Sequence, residues 1–278
     1  MEEPKIAVSC VMEDGRAGGH PAVPRAFSEI ESWANVTYLD AAVEHPDLDW
    51  TQFDLYRKEK RTEAAMNDLR RAVDHGIPTV NPLEGTMMVV NRPSRYRELH
   101  NHVPMPYTEY CPVMETSISP PAILKEETQI IDRGGLTQEV VSEDRHLDRE
   151  DERLVQEYID FDTEYKGYQF GDEFRLTERF GPTSEDRREV RSGDAYETVR
   201  DISYTVRDVS GLNIFGVDVI MADEQPYLVD VNEEGSYRGV EDAVDLYVQT
   251  IWEQARDAVS GSDRPERAPI PRATVSVD

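Results

Sequence analysis

Lysine is almost missing from this chain. Of 30 basic residues in 278, only Lys5, Lys58, Lys60, Lys125 and Lys166 are lysines, leaving 25 arginines. Cysteine is rarer still: Cys10 and Cys111 stand far apart, with no Cys-x-x-Cys pair and no Cys/His cluster, so neither a disulfide framework nor a zinc site is expected. No stretch of about 18 consecutive apolar residues occurs, and Met1-Glu2-Glu3-Pro4-Lys5 carries neither a basic leader nor an apolar signal region. A reducing cytoplasm is the expected location, and a membrane is not. An excess of positive charge is also lacking: 57 acidic residues against 30 basic ones give a net charge of -27, which argues against nucleic-acid and anionic-membrane partners.

What is present is acid. An acidic surface stays hydrated and soluble when salt screens its self-repulsion, and acid excess with scarce lysine suggests a halophile. The other reading is an acidic protein that meets a basic partner or divalent cations. With 38% hydrophobic residues over 278 positions, the chain is long enough for two or three compact lobes.

The first ninety residues alternate short apolar runs with helical spacing: Ile6 to Cys10, a helix from about Val23 to Trp33, Val36 to Leu39, Phe53 to Tyr56, a helix from about Thr62 to Asp74, then a strand in Gly76 to Val80. Such alternation predicts a parallel α/β lobe. From Arg92 the pattern changes to a short helix and a strand ending at Pro121-Ala122-Ile123-Leu124-Lys125. Strands follow at Arg153 to Ile159, Glu164 to Phe170 and Glu173 to Arg179, then a helix from Ala195 to Val209, a hairpin from Ile214 to Val231 and a helix from Val240 to Ala258. The expected organisation is an α/β lobe over 1–90, two α+β lobes over 91–160 and 161–260, and a loosely ordered tail over 261–278. No internal repeat is visible.

The most informative stretch is Phe215-Gly216-Val217-Asp218-Val219-Ile220 followed by Leu228-Val229-Asp230-Val231-Asn232. Two strands joined by a tight turn at Asp223-Glu224 set Asp218 on one strand and Asp230 and Asn232 on one face of the other. Two carboxylates and an amide oxygen are hard ligands suited to magnesium or manganese. Apolar neighbours flank both aspartates, and a bound ion is a reason to bury them.

These strands resemble the metal-binding end of the ATP-grasp superfamily, in which a strand bearing Asp precedes an Asp/Glu-x-Asn strand. Ala122-Ile123-Leu124-Lys125 is similar to that family's strand ending in a phosphate-binding lysine, and Leu154-Val155-Gln156-Glu157-Tyr158-Ile159 to its adenine-binding hinge. The resemblance spans roughly Pro82 to Ala258 and is strongest to the ligases that add glutamate to ribosomal protein or to amino-group carrier proteins. It implies ATP and magnesium or manganese as cofactors, Lys125 on the α- and β-phosphates, Glu157, Tyr158 and Ile159 beside the adenine, Glu164 at the ribose, and Lys166 where relatives carry arginine. Arg92 stands where the family often has lysine, which keeps the charge and changes its geometry. The loop after Lys125, Glu126 to Gly135, holds its glycines only at Gly134 and Gly135, so the phosphate cover is poor in small residues.

For the acceptor, Arg57-Lys58-Glu59-Lys60-Arg61 is a dense basic cluster at a strand end and helix start, suited to an anion or else a solvated helix start. Tyr237-Arg238-Gly239 is a second candidate for acceptor or phosphate contact. Arg187, Arg188 and Arg191 in a polar loop are candidates for a mobile arginine, with Arg191 placed in the catalytic set. The resemblance implies a carboxylate-amine ligase working through an acylphosphate, with a small-molecule or carrier-protein carboxylate and an amine as substrates, and a homodimer or heterodimer as the usual assembly. Gly235 to Val240 also resembles the corresponding turn of inositol polyphosphate kinases, so a small-molecule kinase is an alternative. A non-catalytic nucleotide-binding module is a third.

Overall fold

The computed structural model describes residues 3–13, 16–17, 21–111, 116–130, 138–142, 153–179 and 186–260. Gly134, Gly135 and the tail from Gly261 lie outside them. In chain order the first elements are β1 (Lys5–Cys10), a short hairpin of β2 (Met12–Glu13) and β3 (Arg16–Ala17), α1 (Ala22–Ile30), β4 (Asn35–Asp40), β5 (Leu55–Lys58) and α2 (Glu63–Asp74). Ile6 to Cys10 is buried throughout, and apolar but for Ser9, whose hydroxyl accepts from the Tyr56 hydroxyl at 2.8 Å, because β1 is the central strand of a parallel sheet ordered β4-β1-β5. Thr62 caps α2 by accepting from the Ala65 amide at 3.1 Å, and Gly76, with φ +74°, supplies the left-handed residue after its end. The strand expected over Gly76 to Val80 shrinks to one parallel bridge between Tyr56 and Thr79. Pro78 has no amide hydrogen with which to extend the ladder.

Next come α3 (Leu83–Val90), α4 (Arg92–Leu99), β6 (Thr108–Cys111), β7 (Ala122–Glu126), β8 (Gln138–Val141) and β9 (Arg153–Glu157). Helix α3 has no counterpart in the sequence reading, because Leu-Glu-Gly-Thr-Met-Met-Val-Val has no polar face to mark a helical period. Helix α4 starts where Asn91 accepts from the Ser94 amide at 2.8 Å and Pro93 occupies the first turn. The four strands form an antiparallel sheet ordered β6-β9-β7-β8.

The remaining elements are β10 (Thr163–Phe170), β11 (Glu173–Arg179), β12 (Arg187–Val190), α5 (Asp194–Ser210), β13 (Ile214–Ala222), β14 (Gln225–Asn232) and α6 (Ala243–Ser260), with an antiparallel sheet ordered β12-β11-β10-β13-β14. Arg187 and Arg188, expected in a polar loop, sit on the edge strand β12. Cross-strand acids hold them there: Arg188 pairs with Glu178 opposite it, and Arg187 reaches Glu164 at 3.0 Å. Asp223 and Glu224 both adopt positive φ, 48° and 65°, as a two-residue hairpin turn requires.

Phe174, Leu176, Val199, Val206, Val217 and Leu228 form the core under α5. Helix α6 instead returns to the N-terminal lobe, where Tyr247 meets Phe27 edge to face at 5.8 Å in a core shared with Val8, Phe170 and Ile251. Among the described residues no helix is long and apolar enough to cross a membrane.

Helix α3 approaches the end of α5 so closely that a Cβ on Gly85 would lie 2.0 Å from the Ser210 carbonyl oxygen. Backbone there must move to admit even a methyl group. Gly85→Ala is therefore expected to destabilise the chain by about 1–3 kcal/mol, read as a lowered denaturation midpoint in high-salt buffer; unchanged stability would mean the helices are not packed this tightly.

Candidate active site

The β13-β14 hairpin places Asp218 directly opposite Asp230, and the ladder then slips so that Val219 faces Leu228. Val229 is the extra residue of this bulge. A bulged residue leaves its ladder position, and the Val229 carbonyl instead accepts from Lys125 Nζ at 2.9 Å, tying the end of β7 to the carboxylate pair. Asn232 Nδ2 donates to Asp218 Oδ2 at 2.9 Å, so the expected trio of Asp218, Asp230 and Asn232 does share one face.

Two facing carboxylates repel each other and lose hydration, so they require cations. Lys166, directly across on β10, lies 3.0 Å from Asp218 Oδ1. Arg95, one helical turn beyond Arg92 on α4, lies 2.5 Å from Asp230 Oδ1 and donates to the Val231 carbonyl at 3.2 Å. Gln129 Nε2 also donates to Asp230 Oδ1, at 2.9 Å, while its Oε1 accepts from Arg61 Nη1 at the same distance. Arg61 Nη1 further donates to Asn232 Oδ1 at 3.3 Å. Arg92 is buried beside Lys125 and donates to the Glu126 and Thr128 carbonyls at 2.6 and 3.1 Å, bracing the turn after β7. Arg95, Gln129 and the reach of Arg61 were missed in the sequence reading. Only the i, i+3 spacing of Arg92 and Arg95 on one helix face hinted at the first.

The protonation equilibria follow from this crowding. Burial pushes the Asp218 carboxyl up, Lys166 opposes that, and the Asp230 charge adds to it. Burial works the same way on Asp230, but Arg95, Lys125, Arg92 and Arg61 outweigh it and hold that carboxyl down at about 2. Burial pulls the Lys125 ammonium down to about 8, with Arg95 and Arg92 adding to the effect and Asp230 and Asp218 opposing it.

The hinge residues sit at the other end of β9. The Glu157 carboxylate accepts from the Tyr107 amide at 2.7 Å, and Glu157 and Tyr158 line a cavity of about 460 Å³ with Tyr107, Ser117, Ile118, Ser119 and Pro121. Ile159 follows the end of the strand, half-buried. On the opposite face, Gln156 joins Arg92, Arg95, Met105, Lys125, Leu154 and Val229 around a narrow cleft between the lobes. Its Oε1 is buried without a hydrogen-bond partner, while its Nε2 donates to Thr108 Oγ1 at 3.0 Å.

Other expected residues are placed differently. Glu164 is held by Arg179 at 2.8 Å and Arg187 at 3.0 Å. Arg191 is not brought to the carboxylates: its side chain is 68% exposed and pairs with Glu189 and Glu241. Beyond the end of β12, nothing packs it inward. Tyr237 is a core residue, 3% exposed and stacked obliquely on Tyr168 and Phe170. The basic cluster is no solvated helix start. Arg57, Lys58 and Glu59 are buried, Arg57 pairing with Glu59 and Lys58 with Glu233.

The chain matches no protein-family model and no curated protein. Its structure does match solved ones. A RimK domain protein ATP-grasp from Sphaerobacter thermophilus superposes with a TM-score of 0.68 at 17% identity, over 88% of this chain and 98% of that one. N5-carboxyaminoimidazole ribonucleotide synthetase in its ADP complex gives 0.70 at 15% identity, over 91% of this chain and 77% of that one. The ATP-grasp ligase PsnB, complexed with a minimal precursor, gives 0.64 at 13% identity, over 91% and 99%. The chain has the ATP-grasp fold.

Within the ATP-grasp fold the oxygen donors of Asp218, Asp230 and Asn232 fit a magnesium or manganese ion chemically, since nitrogen and sulfur ligands are absent from the trio. Among the described residues no group of three or more His, Cys, Asp or Glu side chains is arranged to hold a metal. Two carboxylates and an amide are a partial shell of the kind that substrate phosphates complete.

The lowered Lys125 equilibrium has a consequence for stability. Below about pH 8 the folded and unfolded chains both carry this proton. Above it the folded chain releases the proton while the unfolded chain keeps it until near 10.5. The unfolded state then binds more protons, so stability should rise from pH 8 toward 10, by about 1 kcal/mol per pH unit from this residue. Denaturation at a series of pH values should show that rise in the wild type and lose it in Lys125→Met; identical profiles would contradict a buried ammonium.

Proposed function

We propose that the chain is an ATP-dependent carboxylate-amine ligase working through an acylphosphate. The observation that carries this reading is the charge arrangement of the interlobe cleft. Five cations, Arg61, Arg92, Arg95, Lys125 and Lys166, gather around the Asp218 and Asp230 carboxylates, with Glu234 3.9 Å from Arg61, in a chain whose net charge is -27. A local positive excess of this kind suits a polyphosphate. The ATP-grasp neighbours support the nucleotide: a synthetase solved with ADP, and a ligase solved with Mg, ADP and its minimal precursor.

In this reading Lys125 neutralises the α- and β-phosphates from the end of β7. Gln156 Oε1 and the hinge backbone face the base. Asp218, Asp230 and Asn232 would hold magnesium, which when bound would supply positive charge against the phosphate oxygens. A carboxylate oxygen of the acceptor takes the γ-phosphoryl group and ADP leaves. The amine nitrogen then attacks the acyl carbon, loses a proton, and inorganic phosphate leaves with the carboxylate's oxygen. Lys166 and Arg95, which neutralise the two aspartates, are in this reading the cations that would take up developing phosphate charge. The chain's contribution is positioning and charge compensation.

The decisive assay is ADP release from ATP and magnesium in about molar potassium chloride, chosen because a chain this acidic needs screening, across pools of carboxylates with and without amines. Release requiring both substrates is the expected result. A stable phosphorylated product without an amine would instead mean a kinase, and binding without turnover a non-catalytic module. Asp230→Ala should lower turnover at least about a hundredfold, with thermal unfolding followed alongside to separate lost chemistry from lost fold.

A further inference from the structure

The narrow cleft beside Lys125 holds a buried polar atom that the chain itself does not satisfy. Gln156 lines this cleft and is 3% exposed; its Oε1 is buried without a hydrogen-bond partner, while its Nε2 donates to Thr108 Oγ1 at 3.0 Å. The two residues stand directly opposite each other on β9 and β6. A buried acceptor left unpaired is costly, so the cleft calls for a donor at this point.

Which end of the amide faces the cleft is decided by one proton. A hydroxyl has a single hydrogen to donate, and a carbonyl can only accept. The hydroxyl of Thr108, a residue 7% exposed, donates to the Pro106 carbonyl at 3.0 Å. Its oxygen is left with lone pairs alone, so Gln156 must turn its amino end toward Thr108 and its oxygen away. Reversing the amide would either set oxygen against oxygen or take the proton from Pro106. The segment that carries this arrangement is itself pinned to the hinge. The Glu157 amide donates to the Tyr107 carbonyl at 2.9 Å, and the Tyr107 amide donates to the Glu157 carboxylate at 2.7 Å.

A base entering the cleft therefore meets an acceptor that is held from becoming a donor. A purine with an amino group at C6 offers it a hydrogen. A purine with an oxygen at C6 offers lone pairs instead, and both acceptors stay unpaired. We propose that Thr108 is the positioning residue that makes this chain select a 6-aminopurine nucleotide over a 6-oxopurine one, by locking the Gln156 amide with its oxygen in the cleft. The proposal rests on the nucleotide part of the ligase reading and adds to it the group that fixes the choice of base. Thr108 acts through Gln156, since its own hydroxyl hydrogen is committed to Pro106. Its signature is a ratio of affinities rather than a loss of binding.

The test is calorimetric titration of the full chain, in high-salt buffer with magnesium, using the diphosphates of adenosine and inosine. Inosine carries the C6 oxygen and has no exocyclic amine with which to compensate. The wild type should bind the adenosine compound at least about tenfold more tightly. Thr108→Val keeps the branched shape and removes the hydroxyl, so the amide is free to turn and the ratio should fall at least about threefold. Thr108→Ser keeps the hydroxyl and should keep the wild-type ratio. A purely structural role would weaken both nucleotides alike and leave the ratio unmoved. If Thr108→Val does not fold, Thr108→Ala is read in its place, and the wild-type comparison stands by itself. Equal wild-type affinities, an undiminished ratio without the hydroxyl, or an equal fall in Thr108→Ser each overturn the proposal and leave the ligase reading standing. A chain that binds neither nucleotide brings down both.

Discussion

Two carboxylates facing each other across an antiparallel ladder set the problem that the rest of the molecule solves. Asp218 and Asp230 occupy paired positions on β13 and β14, where mutual repulsion adds to the loss of hydration. With side chains only 17% and 28% exposed, the two carboxylates are poorly hydrated, and the hairpin calls for cations supplied from outside it. Every lobe contributes. Arg61 comes from the N-terminal lobe, Arg95 from α4, Lys125 from the four-stranded sheet and Lys166 from the carboxylates' own sheet. Gln129, bridging Arg61 to Asp230, links the lobes through hydrogen bonds beside the apolar contact that Ile130 makes with the N-terminal core.

The same constraint explains where the scarce lysines are spent. Three of the five, Lys58, Lys125 and Lys166, have side chains at most 15% exposed and point at carboxylates or carbonyls of the central junction. Exposed acids of a chain with net charge -27 are screened within about 8 Å at physiological ionic strength and more tightly in concentrated salt. The repulsion that such a surface exerts on an anion is therefore short in reach. What survives screening is short-range pairing inside a cleft, which is where the positive charge is concentrated.

Much of this was legible in the sequence, and the exceptions have physical causes. The β13-β14 hairpin could be read from strand alternation and the Asp223-Glu224 turn, but that turn alone would set Asp218 opposite Val229, and the bulge that brings Asp230 opposite it was not legible. Lys125 could be read because it ends an apolar run. Helix α3 was hidden because buried residues surround it, leaving no periodic signal. Arg95 and Gln129 were hidden because their roles depend on which lobe they meet, a tertiary fact that no local spacing encodes. The basic cluster was half legible: its charge density was visible, its burial was not. That burial depends on Glu233 and Glu234, more than 170 residues away along the chain. Alternation on β5 carried part of the signal, since Arg57 and Glu59 share a face opposite Lys58.

The bulge at Val229 shows how a small departure from regular pairing becomes functional geometry. In an unbroken ladder the Val229 carbonyl would be engaged within the sheet, and Lys125 would have to reach a carboxylate or remain unpaired. The slip frees that carbonyl to fix the lysine by a neutral acceptor at 2.9 Å, so Lys125 stays close to Asp230 without being locked into an ion pair with it. A neutral acceptor gives up a lysine more readily than a carboxylate does, because charge-assisted hydrogen bonds are roughly twice as strong as neutral ones. Lys166 is the contrast: it is paired directly with Asp218, and moving it uncovers a buried carboxylate. The two lysines thus differ in how firmly they are held, Lys125 by a neutral carbonyl and Lys166 by a carboxylate that would need another cation in its place.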